Sequence, residues 1–156
     1  MTRLIVGLLI SLLFENAAVA ESNSYQKFLE KDSPNELYFL AQGGMQCMIQ
    51  RSQLNEVVRE ELLKHKIRPV RDVIPPEQKF YLFALLECAV QSIDPVVFAY
   101  RLGVRFNSIS SVTPEAFHVE YTDLGVSRDP DFVIEQFRKR VNEAILDYVE
   151  ANLANF

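Results

Sequence analysis

Residues 75–93 read PPEQKFYLFALLECAVQSI, the longest mainly apolar stretch after the first twenty residues of the chain. Two prolines followed by Glu77 are typical of the first turn of a helix. The polar positions Glu77, Glu87 and Gln91 would form only a narrow stripe along that helix. Because a helix that is apolar on most sides is packed on most sides, this stretch predicts the central helix of the fold.

Apolar residues recur at helical spacing on both sides of this stretch. Ser33 suits an N-cap and Pro34 a first helical position, and the apolar pattern continues to Leu63, with a bend near 51–53. Further helices are predicted within 21–32, from Pro95 to Leu102, and from Pro130 to Val149.

The segment 104–122 carries two conflicting patterns. Apolar and polar residues alternate over 117–122, which favours a strand paired with residues 104–109. Thr113 and Pro114 form a strong helix start, and Gly125 a suitable stop, so we favour a short helix from Pro114 by a small margin. The fold class expected is all-α, a compact bundle of about five to six helices linked by one disulfide, with a small β-hairpin in 104–122 left open.

The first twenty residues have the layout of a secretory signal peptide. Arg3 precedes an apolar run from Leu4 to Phe14, and the small residues of Ala18-Val19-Ala20 follow it. The run is too short to cross a bilayer, which needs about 20 helical residues. We therefore expect a cleaved signal peptide over 1–20 and a single helical domain over 21–156, periplasmic or secreted, without stable membrane insertion after cleavage.

The chain has two cysteines, and an oxidising compartment favours a bond between them. We therefore predict a disulfide between Cys47 and Cys88. Bonded cysteines need Cα atoms about 5.5–6 Å apart, which is closer than two helices normally approach. Gly43, Gly44 and Ala84 lie one helical turn before these cysteines, so the sequence predicts a close helix crossing there.

Composition and motifs exclude several classes of function. The net charge of −5 argues against a nucleic-acid partner, because such binders carry an excess of basic residues. His65 and His118 match no metal-ligand spacing, and no serine lies in a nucleophile elbow. We expect no catalytic residues, no metal and no cofactor.

The segment 103–128 is the first candidate for binding a partner, because recognition residues concentrate on connections held by a rigid scaffold. Its exposed polar candidates are Arg105, Asn107, His118 and Glu120.

A secondary basic patch comprises Lys64, Lys66, Arg68 and Arg71. It would suit an anionic partner, but cations also stabilise the C-terminus of the helix that precedes it, and we prefer that interpretation.

Together these features indicate a non-enzymatic binding module whose partner is another protein of the cell envelope. The layout is similar to that of periplasmic immunity proteins, which neutralise toxins that degrade the cell wall. This resemblance covers the export signal, the small helical domain and the disulfide, and no residue motif. A periplasmic chaperone or assembly factor and an enzyme with an unrecognised site are the alternatives. Homodimer formation is left open.

Overall fold

The computed structural model describes residues 24–70, 80–93, 95–108 and 119–153. Within these ranges the chain forms a five-stranded sheet and three helices, so the all-α prediction of a helical bundle is wrong. The signal peptide predicted over 1–20 and the helix predicted from Pro114 lie outside the described residues.

The elements follow one another as a mixed α/β chain. The strands are β1 (Glu36–Gly43), β2 (Arg68–Val70), β3 (Phe80–Ile93), β4 (Val96–Ser108) and β5 (Tyr121–Ser127). The helices are α1 (24–29), α2 (Arg51–Lys64) and α3 (Pro130–Ala151), and a 3-10 turn occupies Met45–Cys47. The strand order is β2-β1-β3-β4-β5. β1 is parallel to both β2 and β3, whereas β3, β4 and β5 are antiparallel in succession.

The stretch predicted as the central helix forms the central strand of the sheet. From Phe80 to Ile93 the chain is β3, which pairs with β1 on one side and β4 on the other. Leu82 is fully buried, and its neighbour Phe83 on the opposite face is half-buried. A strand with apolar side chains on both faces reads as a continuous apolar run, which periodicity does not distinguish from a buried helix.

The helices predicted from Pro34 and from Pro95 are also wrong. In β1, the buried residues Leu37, Phe39 and Ala41 alternate with more exposed neighbours, which is the period of a strand. The segment that follows Pro95 is β4. Here backbone pairing with neighbouring strands overrides the local capping signals, because pairing satisfies the amides and carbonyls along each strand.

Three predictions with local signals are confirmed. The helix α3 begins at Pro130, where the side chain of Asp129 accepts a hydrogen bond of 2.9 Å from the amide of Asp131. The helix α2 ends at Lys64, and a short helix lies within 21–32. The pairing of Val104 with Tyr121 supports the hairpin alternative for 104–122. None of the helices in the described ranges is both long enough and apolar enough to span a membrane.

The helices pack on one face of the sheet and form the core with it. Buried residues alternate along β1, β3 and β4, as expected for a sheet covered on one side. The rings of Phe80, Phe106 and Tyr148 stack with centroids 5.2 to 5.9 Å apart. Burial raises the pKa of Tyr148 to about 12, so its hydroxyl stays protonated and donates to the carbonyl of Pro34.

Asn152 joins the first described segment to the end of α3. Its side chain is fully buried, accepts from the amide of Lys31 at 2.7 Å and donates to the carbonyl of Leu29 at 2.9 Å. Tyr25 and Tyr121 share a hydrogen bond of 3.1 Å, and burial raises the pKa of Tyr25 to about 12. Residues 25–31 are therefore part of the folded domain.

A buried carboxylate lies between α2 and α3. The side chain of Glu61 is 3% exposed and accepts hydrogen bonds from Lys64 at 2.6 Å and Arg138 at 2.8 Å. Burial alone would raise the pKa of Glu61. The hydrogen bonds from the two cations lower the pKa and together outweigh burial, so it lies below its ordinary value. The carboxylate is therefore charged at neutral pH and links the two helices.

We expect the substitution Arg138→Met to lower the free energy of unfolding at pH 7 by about 2 kcal/mol, because it leaves Glu61 buried with one cation fewer. Since the folded pKa is depressed, the stabilisation is present above the ordinary carboxyl pKa and is lost as the pH falls through the folded pKa. Urea denaturation at neutral and acidic pH measures both effects. Arg59→Met is the control, because its ion pair with Glu56 is exposed. Equal losses from both substitutions would contradict this prediction.

Candidate functional site

The face of the sheet opposite the helices is the candidate functional site, and we call it the open face. None of the three helices packs on it, and its side chains alternate with the buried ones along each strand. Its members include Tyr38, Leu40, Tyr81, Phe83, Leu85, Glu87, Ala99, Arg101, Arg105, Asn107, Thr122, Leu124 and Val126. The open face thus combines aromatic, aliphatic and charged side chains.

Two adjacent rows of cross-strand neighbours form an aromatic centre. Tyr81 lies between Tyr38 and Asn107, and the side-chain amide of Asn107 donates to the Tyr81 hydroxyl at 3.3 Å. In the next row, the guanidinium of Arg105 lies 5.3 Å from the ring centroid of Phe83. A cation over a ring is favoured by the negative charge on the ring face. These contacts fix the direction of the two polar side chains.

Arg101 lies between two carboxylates on the same face. Its guanidinium nitrogens are 3.6 Å from Glu87 and 3.8 Å from Glu120. The side chains of Arg101 and Glu87 are more than half exposed, so their ion pair contributes little to stability and is screened by salt.

Gly103 makes room for Glu120 on the open face. A Cβ atom at position 103 would run into the carboxylate of Glu120, which is therefore able to lie against the strand only because this residue is glycine. The segment before β5 thereby places a carboxylate close to Arg101.

The structure brings three of the four candidate partner-binding residues to one face. Arg105 and Asn107 project from β4, and Glu120 lies two positions from Arg105, over Gly103. His118 lies outside the described residues. Whether these residues bind a partner stays a prediction.

Two aromatic residues of the site, Tyr81 and Phe83, were missed by the sequence analysis. They were assigned to the core of the predicted central helix. If residues 80–93 are taken as a strand, the alternation of Tyr81 and Phe83 with Leu82 and Ala84 places them on the opposite face.

The secondary basic patch is partly neutralised by carboxylates. Lys64 pairs with Glu61, and Arg68 pairs with Glu36 across β2 and β1. Lys66 is exposed in the tight turn that follows α2, and Arg71 lies outside the described residues. The position of Lys64 in the last turn of α2 agrees with a capping role.

The predicted disulfide between Cys47 and Cys88 is present, with Cα atoms 5.6 Å apart. It joins the turn after β1 to β3, so the predicted crossing of two helices is wrong. The glycines permit a close approach between the end of β1 and the backbone of β3. Gly43 and Gly44 have φ of 97° and 89°, and the Gly44 amide donates to the carbonyl of Leu86 at 3.0 Å.

Four exposed apolar side chains lie within five residues of the two disulfide cysteines in sequence. Met45 is 86% exposed and Ile93 83% exposed, and Met48 and Val90 are also exposed. Residues 37–50 contain no charged side chain. We call these four residues the apolar end.

The described residues contain no group of three or more His, Cys, Asp or Glu side chains placed to hold a metal ion. Tyr121 donates to Asp147 and contacts Tyr25, and burial raises the pKa of Tyr121. These hydroxyls remain protonated and join α1, β5 and α3. The hydrogen bonds of these tyrosines are explained by their role in joining the three elements.

No protein-family model matches the sequence, and no curated protein is similar to it. Among solved structures, a crystal structure of a minor lipoprotein from Acinetobacter baumannii is similar over 75% of this chain and 89% of that chain. The sequence identity is 10% and the TM-score is 0.33. A likeness at this level carries no argument about fold or function.

Proposed function

We propose that the protein is an exported, non-enzymatic binding module of the cell envelope and that its open face binds another protein. The observation that carries the proposal is the aromatic centre, where Arg105 lies over Phe83 beside Tyr81 and Asn107. Tyrosine, phenylalanine and arginine are enriched at protein interfaces, and tyrosine and arginine dominate binding energy there.

The charges on the open face favour a partner that carries a carboxylate. Arg101 is shared by Glu87 and Glu120, whereas Arg105 has no ion pair among the residues that the structure describes. The fork of a guanidinium binds a carboxylate through two parallel hydrogen bonds. A partner carboxylate at Arg105, with an apolar group on the aromatic rings beside it, would match this surface in charge and shape.

Two covalent features of the chain support the proposed location of the module. A signal peptide over 1–20 and a disulfide between Cys47 and Cys88 both suit an oxidising compartment outside the cytoplasm. A binding surface carried by a paired sheet needs little ordering on association. Immunity and inhibitor proteins directed at envelope toxins require such a preorganised surface, and we propose this class for the protein.

The proposed function predicts that alanine at Arg105, Asn107 and Glu120 together weakens binding of the partner by about 3 kcal/mol, or roughly 100-fold. The partner is first captured from an envelope extract on the immobilised oxidised protein, then identified and purified. Isothermal titration calorimetry measures the dissociation constant with each variant.

The control is a triple alanine variant at Glu135, Gln136 and Lys139 on α3. It removes the same net charge and an equal number of polar groups from the helical side of the molecule. The control should bind like the unmodified protein. An unchanged dissociation constant for the open-face variant, with its fold intact, would refute the site.

The apolar end favours a second candidate function, a periplasmic chaperone or assembly factor. The four exposed apolar side chains of the apolar end, two of them in the charge-free segment 37–50, are typical of a protein that binds apolar segments. Binding of an apolar dye by the native protein, abolished by Ile93→Lys and unaffected by Arg105→Ala, would favour this function over the first.

A further inference from the structure

The strand β5 is an edge of the sheet with an apolar surface. Among the residues that the structure describes, it pairs with β4 on one side and with no strand on the other. On the open face its side chains Leu124 and Val126 are 77% and 66% exposed. Edge strands that stay unpaired are usually short or carry proline or charged residues, above all lysine. The opposite edge follows that rule, because β2 has three residues and contains Pro69. β5 has seven residues and neither lysine nor proline, and its one charged residue, Asp123, lies on the helix side and pairs with Arg140.

The hydrogen bond of one amide identifies the groups that face outward along β5. The Leu124 amide donates to its neighbour's side chain, Oδ1 of Asp123, at 2.8 Å. Successive residues of a strand direct their amides to opposite sides, so the amides of Thr122, Leu124 and Val126 point away from β4. The Asp123 carboxylate also pairs with Arg140, 3.7 Å away. Because it would keep this partner, it is able to release the Leu124 amide to a neighbouring strand.

The sequence of β5 is complementary to itself when two copies run in opposite directions. A two-fold axis beside Gly125 places Leu124 of each copy opposite Val126 of the other copy, with all of these side chains on the same face. All four of these side chains are exposed in the single chain. A two-fold interface of this kind is closed and involves the same surface on both copies.

Charges at the two ends of β5 favour the antiparallel direction. Glu120 and Asp123 lie at its start, and Arg128 follows its last residue and is exposed, whereas the carboxylate of the next residue, Asp129, caps α3. Arg128 has no ion pair within the described part of the chain, and an antiparallel copy brings it to the acidic start of the second strand. A parallel copy would place like charges together, which is unfavourable.

We propose that β5 pairs antiparallel with β5 of a second copy of this chain, which joins the two sheets into one continuous sheet. The interface buries Leu124 and Val126 of both copies and satisfies the outward amides of Thr122 and Val126. The two open faces then lie side by side on one surface. This inference goes beyond the proposed function and does not depend on it.

Analytical ultracentrifugation of the purified, oxidised protein tests the proposal over a range from about 1 µM to about 500 µM. We expect a monomer–dimer equilibrium with a dissociation constant on the order of 10 µM, because a pair of edge strands buries less than the roughly 800 Å² per partner of tight complexes. Leu124→Lys and Val126→Lys should each weaken dimerisation at least about tenfold, because lysine blocks an edge strand. Circular dichroism verifies that each variant folds.

Two control variants locate the interface. Ile93→Lys adds the same charge at the apolar end, and Arg105→Ala removes a charge from the open face; both should dimerise like the unmodified protein. In the dimer, hydrogen exchange at the amides of Thr122 and Val126 should slow as the protein concentration rises. A monomer at all concentrations overturns the proposal, as does a dimer that Leu124→Lys leaves intact. A dimer lost in either control variant would place the interface elsewhere and also overturn it.

Discussion

Replacement of Gly43 by alanine is expected to lower the free energy of unfolding by about 4 kcal/mol. Gly43 has a φ of 97°, which disfavours any side chain, and an added Cβ would overlap the carbonyl oxygen of Leu86 and approach its carbon to 2.8 Å. The obstacle is backbone of the neighbouring strand β3, so no rotamer change relieves it. The end of β1 would have to move away from β3, with loss of the hydrogen bond from the Gly44 amide to the Leu86 carbonyl.

Gly103→Ala is the matched control for this substitution. It also places a Cβ in contact with another group, but that group is the end of the Glu120 side chain, which is able to rotate away. Gly103 has no positive φ, and alanine in a strand reduces the entropy of the unfolded chain. We expect a change of less than about 1 kcal/mol in chemical denaturation. Similar losses for the two variants would contradict the role assigned to the backbone contact at Gly43.

Removal of the disulfide by the double substitution Cys47→Ala and Cys88→Ala is expected to lower the free energy of unfolding by about 4 kcal/mol. The bond closes a loop with a sequence separation of 41, and the chain-entropy relation assigns that amount to the restriction of the unfolded chain. Guanidinium denaturation of the double variant and of the oxidised, unmodified protein at the same temperature measures the difference.

Two controls separate the covalent bond from the packing of the cysteines. Chemical reduction of the unmodified protein should reproduce most of the loss. Met48→Ala changes an exposed residue just after the same turn and should leave stability nearly unchanged. If the double variant loses less than about 1 kcal/mol, the turn after β1 is held mainly by its noncovalent contacts.

The helix α3 and the disulfide show what local information predicts well. Asp129 and Pro130 begin α3 because a side-chain cap and a preset φ act within two residues and need no distant partner. Cys47 and Cys88 could be paired from their number and the expected compartment, whatever the secondary structure around them. The close approach at Gly43 and Gly44 was anticipated, although between strands and not between helices.

The segment before β1 shows where local signals mislead. Ser33, Pro34 and Glu36 have the spacing of a helix start, yet the chain turns there and enters a strand. The carbonyl of Asn35 accepts the amide of Arg68 at 2.7 Å, a contact between residues that are distant in sequence. No pattern within 33–43 contains that partner, so helix and strand could not be distinguished from the segment alone.

The binding candidates divide in the same way. Arg105 and Asn107 were identified because the mixed pattern of 103–128 did not fit a buried helix, and both lie on the open face. Phe83 was missed because its role depends on which face of β3 the helices cover. Glu120 joins the group through Gly103, a contact between two elements that the sequence of either element does not reveal.

The sequence by itself determined the features that act over a few residues or through composition: the N-cap of α3, the end of α2, the cysteine pair and the absence of a basic excess. The export signal over 1–20 stays a prediction. The tertiary structure alone decided that the apolar runs 36–43, 80–93 and 96–108 are strands and that their outward side chains form one open face. The physical reason is that a strand is stabilised by hydrogen bonds and side-chain pairs from other parts of the chain, whereas a capped helix satisfies most of its backbone within itself.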